Sequence, residues 1–123
     1  LNSTKNKILK IRNLKRKIKQ KDDLYEIMLI FNQKKYHCQG FLDSGNHAYY
    51  LGYPLIFIKK NVIDSYEKID TMTVSGISKR RIDIILVDQL LVNKQTLKNV
   101  YVGVLDELDY DCLLNKELMG GII

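Results

Sequence analysis

Cysteine is scarce in this chain: Cys38 and Cys112 are the only two among 123 residues, and they fall in no CxxC or Cys/His spacing. Neither a disulfide framework nor a cysteine-based zinc site is signalled, and a reducing cytoplasm suits such usage best. Long apolar runs are missing too. None approaches the roughly 20 residues that cross a bilayer, and no charged-then-apolar leader of the secretory kind opens the chain. The first residue is Leu1 rather than Met, which reads as an excised piece of a longer protein whose preceding part would decide its localisation. Internal repeats are absent. With 46% hydrophobic residues, the length suits one small domain with no room for a second core.

Acid is absent from the first 21 residues, which carry nine basic ones: Lys5, Lys7, Lys10, Arg12, Lys15, Arg16, Lys17, Lys19 and Lys21. Residues 22–123 carry eleven basic and fourteen acidic residues. The overall charge of +6 therefore belongs to a short arm, and the boundary near residue 21 separates a basic linker, 1–21, from a domain, 22–123. Within the arm, Ile8, Ile11, Leu14 and Ile18 recur at intervals of three and four, the spacing of one helical face. A basic amphipathic helix of that kind lies on anionic lipid, follows a membrane span on its cytoplasmic side, or touches nucleic acid; a solvated linker has the same composition.

The domain reads as mainly β. Residues 24–31 form a predicted strand, 32–35 a polar turn and 36–42 its hairpin partner. Tyr49-Tyr50 and residues 54–58 are further extended segments, and 59–69 reads as a short helix with Val62, Ile63 and Tyr66 inward. Residues 71–74 and 82–91 flank Ser75-Gly76-Ile77-Ser78, a turn that needs the backbone freedom of glycine. With Val74, these residues are a candidate flap: Val74, Ser75, Gly76 and Ile77. A turn at Asn93-Lys94, a strand over 96–105 and an acidic loop (Asp106, Glu107, Asp109, Asp111) follow. Residues 112–119 read as a short helix ended by Gly120-Gly121.

One motif carries chemistry. In Gly40-Phe41-Leu42-Asp43-Ser44-Gly45-Asn46 an aspartate sits on a tight Ser-Gly turn directly after an apolar strand. By chance an Asp-Ser/Thr-Gly string occurs in roughly one chain in twenty of this length, and it also makes an ordinary turn. Its functional form is the half-site of an aspartic protease. Peptide hydrolysis needs one carboxylate to deprotonate a water and one carboxylic acid to protonate the carbonyl oxygen, and two like charges at close range enforce that division. Asp43 is the candidate catalytic residue. Ser44 suits a hydrogen bond to the backbone of an opposing loop, Gly45 removes a side chain that would block the approach, and Asn46 holds the turn through its amide. No other Asp is followed by Ser/Thr-Gly, so the second carboxylate comes from a second copy across a two-fold axis. The remaining candidates have plainer readings. His47 is a lone loop histidine with no nucleophile beside it. Cys112 reads as a small core residue. The acidic loop lacks the Gly and terminal Glu of a calcium site. No metal or cofactor is called for.

The order of strand, Asp43-Ser44-Gly45, strand, Gly-tipped hairpin, strand and terminal helix resembles a retropepsin-type aspartic protease monomer. The run from Gly40 to Asn46, followed by Gly52-Tyr53-Pro54-Leu55-Ile56 and later by Cys112-Leu113-Leu114-Asn115-Lys116-Glu117-Leu118, resembles more closely the C-terminal protease domain of the sporulation sigma-E factor processing peptidases, the SpoIIGA family. The resemblance spans about residues 24–119. Asn46 is typical of that family where retroviral enzymes usually carry Ala. Two departures from the wider retropepsin pattern stand out: Ser44 replaces the commoner Thr, and Leu113-Leu114-Asn115 replaces apolar-apolar-Gly.

The resemblance implies a closed β-barrel half with a short C-terminal helix and one active-site half per chain. It implies an aspartic endopeptidase, active as a homodimer, that cleaves the pro-sequence of a sporulation sigma factor. It further implies a multispanning membrane domain ahead of this chain, the basic arm as its cytoplasmic junction, action at the cytoplasmic face of the membrane, and a signalling protein on the other side as trigger. Two other readings fit the residues: an inactive dimeric module that binds peptide, and a small β-barrel that stacks single-stranded nucleic acid on its eight tyrosines. The second meets the difficulty that the aromatic residues lie in the net-acidic domain and the positive charge in the arm.

Overall fold

A computed structural model describes residues 23–75 and 79–120. The basic arm 1–21 and part of the candidate flap, Gly76 and Ile77, lie outside the described residues. β1 (Leu24–Phe31) and β2 (Lys34–Asp43) form an antiparallel hairpin with Phe31 opposite Lys34. Its turn is only Asn32-Gln33, both at positive φ (52° and 61°), the handedness that matches the twist of paired strands. The turn is thus two residues shorter than the polar run suggested, because Lys34 and Lys35 continue the ladder as exposed residues. β3 (Tyr49–Tyr50) and β4 (Tyr53–Pro54) make a miniature hairpin around Leu51-Gly52, at φ 51° and 81°. β5 (Ile56–Lys59) follows, then β6 (Asp70–Ser75), β7 (Lys79–Val92), β8 (Gln95–Leu105) and β9 (Cys112–Asn115). The β7–β8 turn is Asn93-Lys94, again at positive φ (50° and 64°).

Two expected helices are absent. The segment 59–69 holds a single 3-10 turn, Lys60–Val62, after which Ile63 returns to extended backbone. Ile63 is buried and Val62 and Tyr66 pack against the core as expected, but Asp64 and Ser65 at its centre favour local turns over helix. The C-terminal helix is replaced by β9 and a run of turns over 116–120. All four residues of β9 are buried. A short apolar run buried on both faces has no period that separates strand from helix, and here it is drawn between β2, which it pairs in parallel, and β5, which it pairs antiparallel.

The strands lie in the order β1-β2-β9-β5-β8-β7-β6, and β1 also pairs β7. That last ladder closes six strands into a barrel and leaves β6 as an arm paired only to β7. β7 serves both: its first half holds β6 and its last residues hold β1. Alternation along the strands divides the core in two. Ile56, Ile58, Ile85, Val87, Val102, Cys112 and Leu114 fill the barrel. Phe41, Leu55, Phe57, Val74, Ile82, Ile84 and Leu113 fill a second cluster between the barrel wall and the β6–β7 hairpin. Gly103 makes this join possible, because a Cβ there would come within 2.9 Å of both Ile82 and Phe57. Among the described residues no helix is long and apolar enough to cross a membrane.

Candidate active site

Asp43 is the last residue of β2, and Asn115, the last of β9, lies opposite it in the parallel register. Both are buried, Asp43 to 2% exposure and Asn115 to 0%. The backbone leaves β2 in a tight turn. The Gly45 N–H donates to Asp43 Oδ1 at 2.9 Å, and the Asn46 N–H to the Asp43 carbonyl at 3.0 Å. Asp43 therefore shapes the loop that carries it, the side-chain-to-backbone bond to which aspartate is suited. Ser44 is exposed at the turn, Gly45 half-buried and Asn46 buried.

Two carboxamides hold this loop from beneath. Asn46 Nδ2 donates to the carbonyls of Leu55 (3.1 Å) and Leu114 (3.4 Å), and its Oδ1 accepts the Ala48 N–H (3.1 Å). Asn115 Nδ2 donates to the carbonyls of Ala48 (3.1 Å) and Leu55 (3.3 Å), and its Oδ1 accepts the Glu117 N–H (3.0 Å). The Leu55 N–H in turn donates to Ala48 at 2.9 Å. Each amide uses both donor hydrogens and its acceptor, which satisfies the polar groups of a buried side chain. At the end of β9 the Asn115 amide fills its position with hydrogen bonds. The sequence pattern points to Asn46 but not to Asn115, because residues 112–119 read there as a helix and only the structure makes Asn115 the last residue of a strand.

A second set of contacts ties the β3–β4 hairpin to the arm. Tyr50 Oη donates to Asp70 Oδ2 at 2.6 Å, and the Thr71 N–H donates to Asp70 Oδ1 at 2.8 Å. The Tyr50 hydroxyl and the Thr71 amide, with Arg81 near, hold the Asp70 carboxyl below its ordinary value, while the bond to Asp70 pushes Tyr50 up to about 12. The Tyr50 ring meets Tyr101 edge-on at 4.9 Å, and Tyr53 lies 5.8 Å from the same ring. Leu51 and Tyr53 are largely exposed at the tip, 70% and 61%.

The flap candidates are divided: Val74 is buried and Ser75 ends β6, while Gly76 and Ile77 are outside the described residues. His47 is exposed. Cys38 and Cys112 are free, buried thiols. Burial, then the Asp111 and Glu26 carboxylates, pushes Cys38 up to about 12. Burial, then Cys38 and Asp111, raises Cys112 as well, so neither is a ready nucleophile. The acidic loop is mostly exposed. Within it Asp111 accepts the Lys59 N–H at its carbonyl (2.8 Å), and Tyr110 stacks on Phe41 at 4.4 Å.

Replacing Asn115 by Ala should lower the unfolding free energy by about 1–3 kcal/mol, the cost of buried partners left unpaired. Urea denaturation would measure it, and amide exchange at Gly45 and Asn46 should quicken in the same variant. Asn115→Asp, which keeps the volume but loses both donors, should behave likewise; wild-type stability there would remove the amides from this role. The Tyr50–Asp70 bond predicts a pH effect of defined sign. A carboxyl lowered on folding contributes stability above its unfolded value, lost as pH falls through the folded one. The β3–β4 hairpin should therefore loosen as pH drops below about 4. Tyr50 ring resonances followed by NMR should report it, and the Asp70→Asn variant should show no such step.

No protein-family model matches the sequence, and no curated protein matches it. Solved structures do. A retropepsin-like aspartic protease from Rickettsia conorii is similar at a TM-score of 0.51 and 18% identity, over 80% of this chain and 70% of that one. The foamy viral protease-reverse transcriptase, solved with an RNA/DNA hybrid, is similar at 0.53 and 11% identity, over 79% of this chain and 12% of that one. At such identities the likeness is one of fold, and it does not single out the sporulation peptidases. The mainly β, closed barrel of this chain is retropepsin-like in fold.

Proposed function

We propose that the chain is an aspartic endopeptidase whose active site is shared by two copies, each contributing Asp43. The observation that carries this reading is the position of Asp43. It is the end residue of a barrel strand, on a Ser-Gly turn pinned by two buried amides, in a chain of retropepsin-like fold. The sequence holds one such turn. A two-fold axis beside it brings the loop to its own copy and completes the pair of carboxylates that the chemistry requires.

In the dimer one carboxylate takes a proton from the attacking water, and the other, protonated, gives its proton to the carbonyl oxygen of the scissile bond. The tetrahedral intermediate collapses as the carboxyl that took the water's proton gives it to the leaving nitrogen, while the other carboxylate takes back a hydroxyl proton of the diol and both return to their starting states. Two carboxylates at that range do not both ionise, so the asymmetry is supplied by their proximity alone. Ser44, exposed on the turn, hydrogen-bonds the opposing loop; Gly45 permits its approach; Asn46 fixes the turn from below. The arms of the β6–β7 hairpin, with Val74 inward, form the wall over the bound peptide.

The finer reading follows the resemblance of Gly40 to Asn46 and of Cys112 to Leu118 to the sporulation sigma-E factor processing peptidases. On it the substrate is the pro-sequence of a sigma factor. The arm 1–21 joins the domain 22–123 to a membrane part, and cleavage at the cytoplasmic face answers a signal from the other side. Tethering in a membrane would raise the effective concentration of the two copies and support a small interface.

Asp43→Ala should fold and dimerise but cleave a co-expressed pro-sigma factor at least about 10²-fold more slowly, the scale of general acid–base catalysis. Immunoblots of precursor and product, with sedimentation of both proteins, would measure this. Undiminished cleavage by a folded variant would make Asp43 a turn residue and end the protease reading.

A further inference from the structure

The β6–β7 hairpin carries three consecutive cations, Lys79, Arg80 and Arg81, all exposed. They stand on a domain that is net acidic outside the arm, with eleven basic and fourteen acidic residues over 22–123. Strand geometry separates the three. Directly opposed residues of an antiparallel pair share a face, and successive residues alternate. Arg80 is opposite Val74, and Ile82 is opposite Met72. Val74 and Ile82 are buried in the cluster that also holds Phe41 and Leu113, each two residues before the strand ends at Asp43 and Asn115. Arg80 thus belongs to the hairpin face turned toward those strand ends. Lys79 and Arg81 belong to the other face, where Arg81 Nη2 donates to Thr71 Oγ1 at 2.7 Å. Among the described residues no ion pair engages Arg80.

We propose that Arg80 is a specificity-determining residue that pairs with an acidic side chain of the bound peptide close to the scissile bond. The inference rests on the aspartic endopeptidase reading and adds the substrate class to it. A guanidinium offers a planar fork of donors that matches a carboxylate through two parallel hydrogen bonds, a fit an ammonium lacks. Its seat on a regular strand pair, next to buried Val74, fixes the height at which the fork meets the peptide. In the two-fold dimer a second Arg80 stands on the other side of the bond, so an acidic residue on either side of the cut is served. The same cation disfavours lysine and arginine there, which supplies discrimination as well as attraction.

The test uses the full chain, shown by sedimentation to be dimeric, and a library of random decapeptides. Cleaved members should be enriched in Asp or Glu within three residues of the cut. For one such peptide, Glu→Gln should lower kcat/KM by about 3- to 10-fold, the scale of a partly desolvated charge-assisted pair. In Arg80→Gln the ratio of Glu to Gln peptide should fall to about one, and in Arg80→Glu a lysine peptide should become the better substrate. Equal cleavage of both peptides by wild type, or an unchanged ratio in Arg80→Gln, overturns the inference and leaves the protease reading standing. No cleavage of any library member by the dimeric wild type overturns both.

Discussion

The carbonyl of Leu55 is the point on which the site is built. Two buried carboxamides, Asn46 from the loop after β2 and Asn115 from the end of β9, both donate to it. A buried amide left without partners costs about 1–3 kcal/mol, so each amide admits few positions for the chain it belongs to. Because Leu55 leads directly into β5, one oxygen relates three strands that come from distant parts of the sequence. The ladders then extend the relation: β9 lies between β2 and β5, and β5 carries β8 beside it. Asp43 inherits its position from this arrangement, as the residue opposite Asn115.

The barrel supplies what the amides alone do not, a rigid base. Closure between β1 and β7 removes the free edges that a single sheet would leave, and of the seven strands of that sheet it leaves only β6 to stand apart. That arm is not loose at its root. Tyr50 binds Asp70, the first residue of β6, and packs on Tyr101 of β8. The loop that bears Asp43 and the hairpin that faces it are therefore connected through six residues of chain and one hydrogen bond at 2.6 Å. In the proposed enzyme this connection sets the space between carboxylates and hairpin, and hence the reach of Arg80.

Much of this was legible in the residues. The presence of Asn-containing turns after residues 31 and 92, though not the two-residue length of the first, the alternation in β1 and β2, and Asp43 at a strand end all follow local rules of turn chemistry and period. The errors share a cause. Residues 112–115 are apolar without alternation because β9 has neighbours on both edges and core on both faces, and only those distant partners make it a strand. Asn115 stands out in the sequence only as a departure from glycine, and its role is hidden for the same reason: the carbonyls it binds belong to Ala48 and Leu55, 67 and 60 residues away. The segment 59–69 keeps its inward residues while lacking its helix, since Ile63 and Tyr66 are placed by the core and by Asp83, to which Tyr66 Oη donates at 2.7 Å. Local pattern showed which side chains turn inward; long-range pairing decided the backbone that carries them.

The central claim is that two chains share one site through their two Asp43 carboxylates. Mixing wild type with Asp43→Asn at constant total concentration, under conditions where subunits exchange, addresses it directly. If both carboxylates are needed, mixed dimers are inactive and activity falls as the square of the wild-type fraction, to about one quarter in an equal mixture. A linear fall, to about one half, would mean that each chain works alone and would contradict the account.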